Sequence, residues 1–446
     1  MKMKVQVISR ESIKPSSPTP PYLKTFNLCF LDQIAPPFYI PIFLFYADNS
    51  PNDIENAGLH CRQKRSLSET LTSFYPLAGR INGNTSVDCN DEGANYVEAR
   101  VSGLLSEVIV QPNVADVLKM FSPCDEPHFD DADTAHGPKF GSKVLLAIQV
   151  NVFDCGGIMI CVCLSHKISD AYSMSKFINC WAAKTHNCKE EILPISELSS
   201  IFPQRDLLGY IPSAFIHRGK GKIVTKRFVF DASKIASLRA TGANSSHVSY
   251  PTRIEAVSAL IWRRFMESTR AKNGLLKEYV AIHAVNFRRR MDPPLKVEGL
   301  ENTLGNVFGS TFTASQDLDG KKEPHILVSK LRDAISKIDG KYLRRILCGN
   351  AYLESFLGGL AGVAKGETGL AIFSSWCRFP WYETDFGWGK PTWVSISGFP
   401  CRDLIILMDT RTGDGIEAWV NMLDEDMAEF EQDEKLLEYV STTPSA

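Results

Sequence analysis

The side chains best suited to proton transfer in this sequence are those of His166 and Asp170, four residues apart in a His-Lys-Ile-Ser-Asp segment. An imidazole can take a proton from an alcohol because its pKa lies close to neutral pH. His166 is the only one of the nine histidines with an aspartate four residues later. A histidine in so short a pattern is more often held by hydrogen bonds inside a core, so this motif needs a second signal.

That second signal is the pentapeptide Asp385-Phe386-Gly387-Trp388-Gly389, which is too specific to be expected by chance. Gly387 and Gly389 permit backbone angles that other residues resist, and Phe386 and Trp388 supply apolar anchors. Asp385 can brace such a turn ionically. The segment contains neither a nucleophile nor an acid with an evident substrate, so it predicts a structural turn that shapes a channel.

The elements around His166 place it at the edge of a sheet. Residues 144–153 and 158–164 read as two strands of a hairpin. A helix with apolar residues at helical spacing begins near Asp170, and Ser169 or Asp170 is suited to cap it. His166 therefore lies between a strand and a helix, where side chains face clefts more often than cores.

The length of 446 residues predicts two domains rather than one. We place the first at residues 1–200 and the second at residues 223–446, joined by a crossover linker at residues 201–222. The basic run at residues 217–222 reads as a solvated part of that linker. A segment near residues 384–408, which includes the second motif, can pack with the first domain.

The second half contains strands at residues 226–230 and 279–285, a helix at residues 254–265 and a strand pair near the end. A last helix is predicted to carry Met427, Phe430, Leu437 and Val440 on one stripe. Strands and helices alternate irregularly along the chain. This favours an α/β fold with mixed sheets over a purely parallel, doubly wound sheet.

Composition limits the class of protein. Apolar residues make up 44% and charged residues 22% of the chain, as in soluble globular proteins. The net charge of −2 offers no electrostatic basis for binding nucleic acid or an anionic membrane. No apolar run approaches the roughly 20 residues of a membrane span, and residues 1–10 lack the apolar block of a secretory signal. We expect a cytoplasmic protein with neither nucleic acid nor membrane as a partner.

Other chemistries have weaker support. The twelve cysteines are scattered without a Cys-x-x-Cys motif, which argues against zinc and redox sites. Cys161 and Cys163 lie inside an apolar strand, where thiols are inert. The acidic segment at residues 128–136 contains two histidines but no metal-ligand spacing, so a solvated loop is favoured. A phosphate-binding glycine loop and a Gly-x-Ser-x-Gly elbow are also missing, which argues against kinases, dehydrogenases and esterases.

The two motifs, in this order, resemble those of the plant acyl-CoA-dependent acyltransferases of the BAHD family, and in particular its alkaloid O-acetyltransferases. The resemblance covers essentially the whole chain, with further similar segments at residues 15–20, 31–33, 74–80, 304–306 and 375–378. One position departs from the family pattern. Ala171 follows Asp170 where the family usually has glycine, and its methyl group can narrow the cleft.

The resemblance implies a fold of two similarly sized mixed-sheet domains of the chloramphenicol acetyltransferase-like type, with the active site at their interface. His166 would be the general base in a channel that coenzyme A and the acceptor enter from opposite faces. Asp170 would turn away from the substrate and brace the loop through an arginine, for which Arg288 is the candidate. The alternative, a direct His–Asp couple, requires both side chains on one helix, and His166 precedes the helix.

For the coenzyme, the resemblance and the sequence suggest Ser258, Gly305 and Asn306 as contacts. The resemblance implies acetyl-CoA as a co-substrate, with no metal and no permanently bound cofactor. The second substrate would be a small-molecule alcohol, and the protein would work as a monomer.

The implied reaction is O-acetylation of a hydroxyl on a plant specialised metabolite, an alkaloid or a terpenoid, by direct transfer in a ternary complex. One alternative is transfer of another acyl group, malonyl or aromatic, from its CoA thioester. Another is a non-catalytic relative that binds acyl-CoA or a metabolite, although an intact His166 and Asp170 argue against it. A thiol- or serine-dependent hydrolase would instead form a trappable acyl-enzyme.

Overall fold

The computed structural model describes residues 3–47, 53–111, 113–124, 144–185, 198–207, 221–246, 248–273, 278–292, 299–315, 323–347 and 351–441. The acidic segment at residues 128–136 and most of the basic run at residues 217–222 lie outside these ranges.

The strands are β1 (Lys4–Ile13), β2 (Thr25–Asn27), β3 (Tyr39–Tyr46), β4 (Arg80–Asn82), β5 (Ser86–Asp88), β6 (Ala94–Ser102), β7 (Leu146–Phe153), β8 (Ile158–Ser165), β9 (Ile223–Phe230), β10 (Glu278–Asn286), β11 (Phe308–Ser315), β12 (Thr368–Ser375), β13 (Trp393–Ser395), β14 (Leu404–Asp409) and β15 (Ile416–Leu423). The helices are α1 (Phe30–Ile34), α2 (Asp53–Ser73), α3 (Leu105–Ile109), α4 (Val114–Leu118), α5 (Ala171–Thr185), α6 (Leu198–Ile201), α7 (Ala232–Thr241), α8 (Arg253–Asn273), α9 (Pro324–Ser336), α10 (Gly340–Leu347), α11 (Ala351–Ala364), α12 (Asp424–Phe430) and α13 (Glu434–Leu437).

Two six-stranded sheets organise these elements. The first has the order β1-β6-β7-β8-β3-β13 and the second the order β11-β10-β12-β14-β15-β9, beside a small sheet β2-β5-β4. Each large sheet mixes parallel and antiparallel pairs: β6 and β7 are parallel, as are β10 and β12, whereas β7 and β8 form the predicted antiparallel hairpin. The prediction of a mixed-sheet α/β fold is confirmed.

One strand crosses between the halves of the chain. β13 belongs to the C-terminal half, yet it pairs antiparallel with β3 at the edge of the first sheet, with Trp393 opposite Phe45. β14, which begins nine residues after the end of β13, lies in the second sheet between β12 and β15. Within the segment predicted to pack with the first domain, residues 393–395 therefore join the first sheet and residues 404–408 do not.

Apolar packing also joins the two halves. A cluster of buried residues combines Cys29, Phe30 and Leu31 from the first half with Val285 and Phe287 from the second. Separate larger cores lie against the first and second sheets. Within the described ranges, the helices lack the combined length and apolar character that crossing a bilayer demands.

The prediction of a single last helix is wrong. α12 ends at Phe430, and a new helix, α13, begins after Asp433, whose carboxylate accepts a hydrogen bond from the Leu436 backbone N–H at 2.9 Å. Such a cap starts a helix and cannot lie inside one. Leu437 is consequently 45% exposed rather than part of the apolar stripe.

Candidate active site

His166 follows the last residue of β8 and is held there by both backbone and ring contacts. Its backbone N–H donates to the carbonyl oxygen of Phe38 at 2.8 Å. The Phe38 ring meets the imidazole edge-on, with centroids 5.4 Å apart, and the Phe308 ring lies at 5.7 Å. Phe38 comes from the first half of the chain and Phe308 from the second, so His166 lies where the halves meet.

The His166 ring is oriented by Asn306. His166 Nδ1 and Asn306 Oδ1 are 3.0 Å apart, while Asn306 Nδ2 lies 2.8 Å from the His166 carbonyl oxygen and 2.9 Å from Asp32 Oδ1. Both partners of Nδ2 are acceptors, which settles the orientation of the amide. Because Asn306 Oδ1 can only accept, Nδ1 of His166 must carry the proton, and Nε2 is the basic nitrogen left for the cavity.

Burial lowers the pKa of His166 below its ordinary value of 6.5. The hydrogen bond with Asn306 and the charge of Asp170 act in the opposite direction without reversing the shift. A lowered pKa keeps the imidazole neutral at pH 7, which is the form that can accept a proton.

Asp170 does not pair with His166 in this structure. Its carboxylate accepts hydrogen bonds from the backbone N–H groups of Ser173 at 2.8 Å and Val307 at 3.0 Å, and from Arg288 Nη1 at 2.7 Å. The bond from Ser173 makes Asp170 the N-cap of α5, as predicted. Burial alone raises the pKa of Asp170, but Arg288 and the N–H donors outweigh it, so the pKa is lowered.

Arg288 connects the two halves of the chain at this point. Its Nη2 donates to Asp170 Oδ1 at 3.2 Å, to Ser173 Oγ at 2.7 Å and to the Gly305 carbonyl oxygen at 3.1 Å. Its guanidinium also lies over the Tyr172 ring, 4.8 Å from the centroid. Only 1% of the side chain is exposed. Arg288 therefore holds the start of α5 against the second half of the chain, behind the cavity.

Two further charged residues lie close to His166, and neither was assigned a role from the sequence. Asp32 on α1 is fully buried, and its Oδ1 accepts from both the backbone and side-chain N–H groups of Asn306, at 2.8 and 2.9 Å. Lys167 is also buried, and its Nζ donates to the carbonyl oxygens of Asp32 at 2.6 Å and Gln33 at 2.9 Å. A lysine that donates hydrogen bonds to the last carbonyls of α1 stabilises the end of that helix, while burial lowers the pKa of Lys167 to about 7.

The second motif lies on the first half of the chain. Phe386 packs against Trp181 of α5, with ring centroids 4.6 Å apart, and stacks on Trp388 at 5.4 Å. Asp385 Oδ1 accepts the backbone N–H groups of Gly387 at 2.8 Å and Gly389 at 3.0 Å. The five residues form the turn that leads into β13, and they do not line the cavity at His166.

The three residues suggested for coenzyme contacts are all buried. Ser258 is 0% exposed on α8, among residues of the second core, and does not line the cavity. Gly305 and Asn306 are buried as well: Gly305 supplies its carbonyl oxygen to Arg288, and Asn306 holds His166. The structure therefore brings Gly305 and Asn306 to the site as supports of the motif, and it does not bring Ser258 there.

The cavity in front of His166 is almost entirely apolar. Asp170 is the only carboxylate among its described lining residues, which include no lysine or arginine. Ala171, the residue that departs from the family pattern, lines it at the start of α5. The apolar and aromatic walls come from both halves of the chain: Leu31, Ile34, Phe38, Ile40, Tyr172, Ile282, Phe308, Tyr352, Phe356, Trp376, Phe379, Phe399 and Ile406. In the part of the chain that the structure describes, no three His, Cys, Asp or Glu side chains are grouped to hold a metal ion.

The positions of Asp32 and Lys167 in the sequence are notable, although they indicate no chemical role for either residue. Asp32 lies in one of the segments that resemble the family, and Lys167 directly follows His166. A charged side chain that a fold buries needs partners. Those partners become visible only when residues more than a hundred positions apart are brought together.

Comparison with known proteins gives matches along almost the whole chain. The sequence pattern of the Transferase family matches residues 3–437. A limonoid 7-O-acetyltransferase from Citrus sinensis is 39% identical over 99% of each chain, and stemmadenine O-acetyltransferase from Catharanthus roseus is 39% identical over 97% of each. The crystal structure of vinorine synthase superposes with a TM-score of 0.83 at 36% identity, covering 98% of this chain and 99% of that one. The chain therefore belongs to the Transferase family, the acyl-CoA-dependent BAHD acyltransferases that its two motifs resemble.

Proposed function

We propose that this protein transfers the acetyl group of acetyl-CoA to a hydroxyl of an alkaloid or terpenoid, with His166 as the general base. The observation that carries the proposal is the His166 imidazole itself. It is neutral, its Nδ1 is held by Asn306, and its Nε2 is left for an apolar cavity between the two halves of the chain. The names of the relatives, O-acetyltransferases of a limonoid and of stemmadenine, support the acetyl donor and the hydroxyl acceptor.

The reaction needs one proton to move twice. Nε2 of His166 takes the proton of the acceptor hydroxyl as its oxygen attacks the thioester carbonyl, which forms a tetrahedral oxyanion. The oxyanion collapses, the carbon–sulfur bond breaks, and the thiolate of coenzyme A receives the proton from Nε2. Asp170 and Arg288 take no part in these steps: they hold the loop that carries His166 against the second half of the chain.

The lining of the cavity favours an acetyl donor over a malonyl donor. A malonyl carboxylate removed from water requires a cationic partner. The described lining residues include neither lysine nor arginine, and Arg288 behind them is already paired with Asp170. An acetyl group carries no charge and needs no cationic partner. An aromatic acyl group is also uncharged, so the donors to be tested must include an aromatic acyl-CoA.

The same lining favours an uncharged acceptor. A protonated amine buried in this cavity needs a carboxylate as its partner. Asp170 is the only carboxylate among the described lining residues, and it already forms an ion pair with Arg288. Of the two acceptor classes, neutral terpenoid alcohols fit this lining better than alkaloids that are protonated at neutral pH. Aromatic rings such as those of Tyr172 and Phe308 can contact apolar polycycles over a large area.

The deciding experiment is a transfer assay with acetyl-, malonyl- and aromatic acyl-CoA against neutral terpenoid alcohols and alkaloid alcohols, with product mass as the readout. We expect a gain of one acetyl group, and a fall in kcat of about 10²-fold or more in His166→Ala, which is the size of a lost general base. His325→Ala, which alters a histidine on α9 outside the cavity lining, is the control. Acetyl transfer undiminished in His166→Ala would contradict the proposed mechanism. Tight acyl-CoA binding with no transfer to any acceptor would support the non-catalytic alternative.

We also propose that the protein is a cytoplasmic monomer. The ten cysteines in the described ranges are free thiols, as is usual in a reducing compartment. Light scattering on the purified protein tests the oligomeric state: a mass near 49.7 kDa is expected, and twice that mass would contradict it.

A further inference from the structure

We propose that Asp32 is a positioning residue for this reaction: through the side-chain amide of Asn306, it keeps the proton of His166 on Nδ1 and leaves Nε2 free to act as the base. This inference rests on the proposed role of His166 as the base, and it deepens that role by naming the group that sets the tautomer.

The carboxamide of Asn306 is nearly symmetric in shape. Rotation by 180° exchanges the oxygen and the nitrogen of Asn306 with almost no change of shape, so packing alone cannot choose between the two orientations. In the orientation present, Nδ2 donates to Asp32 Oδ1 at 2.9 Å and to the His166 carbonyl oxygen at 2.8 Å. The rotated amide would set its oxygen against both of these acceptors. Buried acceptors that face each other are costly, so Asp32 and the carbonyl together fix the amide.

The orientation of the amide then decides the tautomer of His166. With Asn306 Oδ1 3.0 Å from Nδ1, the imidazole must donate from Nδ1. A rotated amide would present N–H to Nδ1, which would force the proton onto Nε2. An Nε2 that already carries a proton cannot take one from a hydroxyl. The wrong tautomer of a catalytic histidine is known to cost most of the activity even where the site is otherwise intact.

Hydrogen bonds from the backbone hold the Asp32 carboxylate in place, so it cannot move away from a rotated amide. Its Oδ2 accepts the backbone N–H of Cys29 at 2.9 Å, and its Oδ1 accepts the backbone N–H of Asn306 at 2.8 Å. The end of its helix, α1, is held by Lys167, the residue after His166. The contacts thus close a ring from His166 through Lys167, α1 and Asn306 back to His166. Asp170 cannot replace Asp32 in this role, because it is engaged by Arg288.

The first test is Asp32→Ala, which removes both carboxylate oxygens. The side-chain amide of Asn306 then loses the acceptor that Asp32 Oδ1 supplies to Nδ2. We expect kcat to fall by about 10- to 100-fold, as for other residues that orient a functional histidine. The KM for acetyl-CoA should stay unchanged, because Asp32 does not line the cavity. Asp231→Ala, at the N-cap of α7, is the matched control. An unchanged kcat in Asp32→Ala, or a loss confined to KM, would overturn the inference.

A double-mutant cycle tests whether Asp32 acts through Asn306. In an Asn306→Ala background the amide is gone, so Asp32→Ala should cause little further loss of kcat. Equal losses in both backgrounds would mean that Asp32 acts by another route, which would contradict the inference.

A spectroscopic test needs no turnover. Imidazole ¹⁵N chemical shifts of histidine-labelled protein distinguish Nδ1–H from Nε2–H, and the His166 signals are identified by their absence in His166→Gln. We expect Nδ1–H in the parent protein, and Nε2–H or a mixture in Asp32→Ala. A parent with the proton on Nε2, or an unchanged tautomer in Asp32→Ala, would overturn the inference. A parent with Nδ1–H that acetylates no acceptor would instead refute the proposed function and leave the role of Asp32 intact.

Discussion

At the scale of single residues, the site depends on charges that are buried and paired. Asp170 and Arg288 form an ion pair with 2.7 Å between Oδ2 and Nη1, and their side chains are 9% and 1% exposed. Such a pair adds little net stability against an apolar replacement of both residues, but removal of one partner leaves a largely buried charge without its counter-ion. Substitution of either residue alone is therefore expected to lower the free energy of unfolding.

Arg288→Met tests this asymmetry. We expect a loss of about 3–5 kcal/mol in the free energy of unfolding, because Asp170 keeps its charge and loses its cation. The neighbouring Arg289→Met is the matched control. Arg289 pairs with Glu301 at 3.2 Å, but both side chains are largely exposed, so its loss should cost no more than about 1 kcal/mol. Urea unfolding curves give both values, and similar losses in the two variants would contradict the prediction.

The pKa of His166 gives a second prediction at this scale. Burial lowers that pKa below 6.5, so the imidazole stays unprotonated down to a pH below 6.5. Plotted against pH, kcat/KM should be level around neutrality and should fall on the acid side with a midpoint below 6.5. A midpoint above 6.5 would mean that a different group, or a different environment of His166, governs the rate. Substrates without ionisable groups keep the profile free of their own titration.

At the scale of elements, the turn of the second motif attaches the C-terminal half to the first sheet. Phe386 packs on Trp181 of α5, and the Thr384 carbonyl oxygen accepts the Tyr46 hydroxyl of β3 at 3.1 Å. Gly387 and Gly389 have φ angles of 112° and 106°, a region that side chains with a Cβ rarely adopt. The turn can then bring both backbone N–H groups to the Asp385 carboxylate and lead directly into β13.

Gly387→Ala should therefore destabilise the protein by about 1–3 kcal/mol, since alanine strains a backbone that glycine adopts freely. Gly358→Ala is the control. Gly358 is exposed on α11, where an added Cβ meets no atom within 4 Å, so alanine there should stabilise by about 0.4–1 kcal/mol. Thermal unfolding distinguishes the two cases, and a stabilising Gly387→Ala would show that the turn is not held at that angle.

At the scale of the whole molecule, β13 connects the two large sheets. Trp393 pairs with Phe45 in the first sheet, while its indole N–H donates to Glu417 of β15 in the second sheet at 3.0 Å. Glu417 is 1% exposed and has Arg227 at 3.7 Å. Burial raises the pKa of Glu417 from 4.5 to about 7, against the opposing effects of Arg227 and Trp393.

This raised pKa makes stability depend on pH. Between pH 4.5 and about pH 7, the folded protein keeps the Glu417 proton while the unfolded chain has lost it. The free energy of unfolding contributed by Glu417 therefore falls as pH rises through that window. Glu417→Gln has no such proton, so the stability advantage of the parent over this variant should shrink from pH 4.5 to pH 7. Glu438→Gln, on the exposed surface, is the control, and a difference that stays constant for Glu417→Gln would contradict the prediction.

Much of the local structure could be predicted from the sequence. The hairpin of β7 and β8, the position of His166 at its end and the capping of α5 by Asp170 depend on neighbours along the chain. Periodicity and turn residues report such neighbours directly. The irregular alternation of strands and helices predicted the mixed sheets, and the family resemblance added the class of reaction. The single last helix was predicted wrongly because an apolar stripe does not reveal a cap such as that of Asp433.

Only the tertiary structure decided which groups surround the base. Asp32 and Asn306 come to the surroundings of His166 from distant parts of the sequence, and Ser258, suggested as a coenzyme contact from the sequence, is enclosed in the second core. Hydrogen bonds and ion pairs act over about 3 Å in space, whatever the separation along the chain. The sequence by itself determined that a histidine would stand at the end of a strand. Which of its nitrogens is free depends on a carboxylate 134 residues earlier and an amide 140 residues later, and only the packing of the two halves brings those groups together.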